Sequence, residues 1–68
     1  MKKENPQNRL ILEHLYNEGS ITQMEAVNLF NCYRLSARIY DLRERGNNIK
    51  TVYITKNHKT FARYILRD

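Results

Sequence analysis

The hydrophobic period changes once along this chain, at Gly46-Asn47-Asn48, and that change restricts the available folds more than any other feature. Before it, apolar residues recur every three or four positions, the period of helices. After it, "IKTVYITK" and "KTFARYIL" alternate and are rich in Ile, Val, Thr, Tyr and Phe, the period of strands. Sixty-eight residues can build only one small core, so helices and strands must share it. The expected class is α+β, with residues 1–68 forming a single domain.

Three helices are expected ahead of the break. In "NPQNRLILEHLYNEG", Asn5 suits an N-cap and Pro6 the first helical position, where its missing N–H costs nothing. Ile11, Leu12 and Leu15 share a face, with Leu10 and Tyr16 at its margins. Gly19 is placed to close the helix in the left-handed conformation, so the helix is expected over about Pro6 to Glu18. Thr22 and Glu25 have the spacing of a capping box, which opens a second helix over about Gln23 to Phe30. Its short apolar face is Ala26 and Phe30 with Val27 or Leu29. Ser20-Ile21 between the two helices is expected to be extended, with Ile21 stapled against the helix that follows. Leu35, Ile39 and Leu42 repeat at i, i+4 and i+7 up to Gly46, which places a third helix over about Arg34 to Arg45. A short helix, a three-residue turn and a longer helix have the lengths of a helix-turn-helix.

The two alternating segments form a hairpin around "NHK". A two-residue turn at Asn57-His58 places Arg63 on the face that carries Val52 and Ile54. A three-residue loop of Asn57, His58 and Lys59 places Ala62, Tyr64 and Leu66 there instead. The second register makes the more apolar face and is the one expected. The order helix, helix, helix, hairpin is that of a winged helix-turn-helix.

Charge narrows the function. The net charge is +5, and it is unevenly placed. Residues 1–33 hold three basic and four acidic side chains; residues 34–68 hold nine and three. A positive half of this kind attracts polyanions. No apolar run exceeds three residues, Leu10 to Leu12 being one, so no membrane-spanning helix is expected. "MKKENPQN" lacks the apolar stretch of a secretory signal. The single cysteine, Cys32, cannot form an internal disulfide, which fits a reducing cytoplasm. An enzyme is not expected: His14 and His58 are far apart in sequence, Cys32 has no visible partner, and no glycine-rich phosphate loop is present. No metal site or cofactor is expected either, because one cysteine and two distant histidines do not make a zinc site.

The run "GSITQMEAVNLFNCYRLSARIYDLRERGNNI", followed by "FARYIL", resembles the small winged helix-turn-helix domains of bacteriophages and prophages. The matching residues are Ile21-Thr22, Glu25-Ala26, Arg34-Leu35, Ala37-Arg38-Ile39, Asp41-Leu42-Arg43, Gly46, Ile49 and Arg63-Tyr64. The likeness runs from Gly19 to Leu66. Phe30-Asn31-Cys32 departs from it, since similar sequences often carry a glycine in that turn. The resemblance implies a duplex-DNA-binding module in a bacterial host's cytoplasm, associated with the nucleoid, acting in transcription regulation or recombination.

Candidate DNA-binding residues follow from the helical wheel and the docking rule for this motif. With Leu35, Ile39 and Leu42 toward the core, Tyr33, Arg34, Ala37, Tyr40, Asp41 and Glu44 point outward. The N-terminal half of the third helix enters the major groove, so Arg34, Ala37, Ser36 and Tyr40 can reach base edges, with Tyr33 beside them. Arg34 can donate two bonds to a guanine. Arg38 is placed for a phosphate, or for Asp41 three residues on. Arg43 ties the helix to the hairpin or meets DNA, and Arg45 is open in the same way. The wing tip, Lys56, Asn57, His58 and Lys59, is a second candidate, for phosphates and a minor groove. Thr22 and Gln23 are a third, through the N-terminus of the second helix. Tyr53, Phe61 and Tyr64 are expected to pack in core or wing. The alternative to DNA is a protein partner, such as a host enzyme that a winged helix would modulate. A homodimer or tandem binding on DNA is also open.

Overall fold

The computed structural model describes residues 5–67; residues 1–4, on which half of the stretch read for a secretory signal falls, and Asp68 lie outside the described residues. The order is α1 (Pro6–Glu18), β1 (Ser20–Thr22), α2 (Gln23–Phe30), α3 (Leu35–Glu44), β2 (Ile49–Lys56) and β3 (Lys59–Leu66). The fold is a winged helix-turn-helix, three helices with a small antiparallel sheet in the order β1-β3-β2.

Local chemistry sets most boundaries. The Asn5 side chain accepts from the Gln7 N–H at 2.8 Å, and Pro6 occupies the first turn. Gly19, at φ 85°, donates its N–H to the Leu15 carbonyl at 2.8 Å and ends α1. The capping box is complete: the Thr22 hydroxyl accepts from the Glu25 N–H, and the Glu25 carboxylate accepts from the Thr22 N–H at 2.9 Å. α2 ends at Asn31, whose φ of 56° is the left-handed conformation that asparagine tolerates. Gly46, at φ 96°, closes α3 with a Schellman pair: Gly46 N–H to Arg43 O at 3.0 Å and Asn47 N–H to Leu42 O at 3.2 Å. α3 starts at Leu35, so Arg34 occupies the N-cap position rather than the first turn.

The core is one cluster of Ile11, Leu15, Ile21, Ala26, Cys32, Leu35, Ile39, Leu42 and Ile49, with Leu12, Phe30, Tyr64 and Leu66 packed against it. β1 contributes because Ile21 pairs with Tyr64, bringing α1, α2 and the hairpin onto the same residues. Leu29 stays exposed, so Val27 completes the short apolar face of α2.

The hairpin corrects the expected register. Lys56 pairs with Lys59 across a two-residue turn, so Val52 faces Arg63 and Ile54 faces Phe61. Asn57 and His58 both have positive φ, 52° and 64°, as a type I′ turn requires. The twist of that turn matches the twist of the strands it joins, and this outweighed apolar alternation. Tyr64 and Leu66 do face the helices, but with Ile49 and Thr51 opposite them. Val52 and Ile54 lie on the other face. Tyr53 and Phe61, expected to pack, are exposed at 73% and 38%. Asp41 is a second correction. The wheel points it outward, yet it is half-buried, because Asn8 of α1 covers it.

Candidate nucleic-acid interface

The start of α3 is built by a residue of α2. The Gln23 side-chain amide donates to the Cys32 carbonyl at 2.8 Å and accepts from the Leu35 N–H at 3.1 Å. Arg34 makes no side-chain cap, so Gln23 takes over that duty. The bridge locks the turn between α2 and α3, and leaves the Arg34 side chain unemployed. Among the described residues, Arg34 has no ion pair and no side-chain hydrogen bond.

Beyond that point the outer surface of α3 is open. Tyr33 and Tyr40 are 71% and 63% exposed, Arg34 and Ser36 are exposed, and Ala37 is half-buried. Leu35, Ile39 and Leu42 are buried on the opposite side. The Tyr40 hydroxyl is held above its ordinary pKa, first by its hydrogen bond to Glu44 and then by the charge of that carboxylate. It therefore remains a neutral donor throughout the physiological range.

The other arginines sort differently. Arg38 bends onto Asp41, Nη2 to Oδ2 at 3.4 Å, with only 18% of its side chain exposed. The same Oδ2 accepts from Asn8 Nδ2 at 3.2 Å, which ties α3 to α1. Asn8 Oδ1 and Arg38 Nε are buried without a partner, so the cluster is incompletely satisfied and fastens the helices more than it stabilises them. Arg43 donates from Nε to the Ile49 carbonyl and from Nη2 to Thr51 Oγ1, both at 2.9 Å. It ties the end of α3 to the hairpin.

The wing tip and the start of α2 come together. Thr22, Gln23, Lys56, Asn57 and Lys59 line one cleft of about 770 Å³; His58 lies outside it on the turn. Thr22 is itself buried, its hydroxyl used by the capping box. Arg63 and Met24 are among the cleft residues that the sequence reading did not place at a site. The two-residue turn register contains the signal for Arg63, since it puts Arg63 on the face shared with Lys56 and Lys59. Met24 gave none, being an apolar residue outside the face of its helix. Among the described residues, no cluster of three or more His, Cys, Asp or Glu could hold a metal ion, and no helix is long and apolar enough to cross a membrane.

A cationic helix start projecting beside a basic hairpin tip defines the class: a winged helix whose third helix and wing are its open surfaces. The chain belongs to the family described as "Winged helix-turn-helix domain", whose model matches residues 6–68. Comparison with curated proteins and with solved structures returned no match.

Proposed function

We propose that the chain is a sequence-specific duplex-DNA-binding module that reads the major groove with the N-terminal half of α3. The observation that carries this is the division of labour among the arginines. Arg38 and Arg43 are engaged within the molecule, while Arg34 stands exposed and unpaired at the end of the helix that this motif inserts. Tyr33, Ser36, Ala37 and Tyr40 surround it, and Lys56, Asn57, His58 and Lys59 extend the surface toward flanking phosphates or a minor groove. Gln23 and Thr22 act through the helix starts they hold. Arg38 adds charge to the field more than a direct contact.

The work of such a module is binding rather than catalysis, as a bacteriophage or mobile-element transcriptional regulator or recombination accessory factor in the host cytoplasm and nucleoid. One small reader spans few base pairs, so a homodimer or tandem copies would supply a longer site. Selection of bound sequences from random duplex DNA tests the proposal. Recovery of one short motif, bound more tightly than random duplex at physiological salt, is expected. Equal affinity for all duplexes would reduce α3 to an electrostatic surface. No salt-dependent binding would remove DNA as the ligand.

A further inference from the structure

The hairpin is amphipathic in an unusual sense, because much of its apolar surface is turned away from the core. Its register places Val52, Ile54, Lys56, Lys59, Phe61 and Arg63 on one face, while Tyr64, Leu66 and Ile49 meet the core on the other. Val52 is 41% exposed and Phe61 38%. On α2, Met24 is 70% exposed and lines the same cleft as Phe61, with Val27 behind. The rim is cationic: Lys56, Lys59 and Arg63 have no ion pair or side-chain hydrogen bond among the described residues. Glu25 is the one acid lining the cleft, and its carboxylate is held by the Thr22 N–H and hydroxyl.

We propose that this cleft docks an acidic amphipathic segment of another protein, which seats a large apolar side chain between Met24 and Phe61. Two features must be matched together, an apolar floor and a ring of unpaired cations. A phosphodiester chain would satisfy the ring and leave the floor wet, so the floor would add nothing to its binding. A second copy docking by the same face would bring two sets of Lys56, Lys59 and Arg63 together. An amphipathic segment with carboxylates beside its apolar stripe meets both features. Arg43 of α3 reaches Thr51, which points to the opposite face of the hairpin. The arginine tie of α3 thus lies on the hairpin face opposite the one that carries Phe61 and Arg63. Lys56 and Lys59 are shared with the proposed DNA surface, so the docked segment competes for them. The docking itself does not depend on the DNA reading.

The probe is a synthetic helix of Leu and Glu with a continuous apolar stripe, with a control of the same composition scrambled to destroy the stripe. Titrated into the isotopically labelled full chain at physiological salt, it is expected to shift the Met24 methyl and the Phe61 and Arg63 amides to saturation. Met24→Gln, at an exposed position that the fold tolerates, and Arg63→Glu should each weaken the peptide about tenfold, as loss of an interface anchor does. Met24→Gln should leave duplex binding unchanged. Equal binding of the scrambled control, or shifts that miss the cleft, would overturn the proposal. So would saturating shifts at Met24 and Phe61 caused by duplex DNA alone, or by raising the protein concentration without peptide. Absence of duplex binding with intact peptide binding would reject the DNA reading only.

Discussion

At the residue scale, similar side chains have different employers. Arg34 and Arg43 lie on the same short stretch, yet one is open and the other holds a carbonyl and a hydroxyl of the hairpin. Arg34→Ala should leave the thermal midpoint unchanged, cost about 1–3 kcal/mol on the preferred site and relax the choice of base at one position. Arg43→Ala should act on stability instead, because it leaves the half-buried Ile49 bond unmade; a lower midpoint with base preference retained is expected from melting and competition binding. Tyr40 offers a titration test. Its pKa is raised by Glu44, so the neutral form is favoured in the folded chain; any associated stability is complete at neutral pH and is lost only as pH rises through the phenol's raised pKa. Glu44→Gln should bring the absorbance titration of Tyr40 back toward the ordinary tyrosine value.

At the scale of elements, the wing turn carries strain that its sequence does not need. His58 sits at φ 64° in a turn position where glycine meets no steric cost. His58→Gly should therefore stabilise the hairpin by about 0.5–1 kcal/mol, read from denaturant unfolding, with cross-strand contacts between Lys56 and Lys59 retained. A contact pattern shifted by one residue would show that the turn does not set the register. The same tip tests the electrostatic part of DNA binding. Lys56→Ala with Lys59→Ala should reduce the slope of log K against log salt by about two, near one per phosphate contact, and weaken all duplexes alike. α3 was legible in the sequence to within one residue at each end, because its apolar period and the closing Gly46 are local signals. The faces of β2 were not, because two registers compete and the deciding geometry lies in two φ angles.

At the scale of the molecule, a small core leaves little reserve. Ile39 is buried within the single cluster that joins all three helices and the sheet. Ile39→Ala should destabilise the domain by about 2–5 kcal/mol, much of what a chain of this length has. An unchanged melting midpoint would mean that α3 presents a different face to the core, and the assignment of its outer surface would change with it. Charge is distributed on the same scale. The excess positive charge of residues 34–68 lies mostly on the hairpin, with Lys50, Lys56, Lys59 and Arg63 and no acid, while α3 balances Arg38 and Arg43 against Asp41 and Glu44 and is flanked by Arg34 and Arg45.

What the amino-acid sequence determined by itself is whatever depends on neighbours a few residues apart. Asn5, the Thr22–Glu25 box, Gly19 and Gly46 mark the helices because caps satisfy backbone groups within one turn. The period change marks the hairpin for the same reason. The engagement of Gln23 with Leu35, of Arg38 and Asp41 with Asn8, and of Arg43 with Thr51 was decided by tertiary structure alone. So was the meeting of Met24, Phe61 and Arg63 in one cleft. Each depends on which side chains are brought within reach across the chain, and a helical wheel or a strand alternation contains no distance between elements.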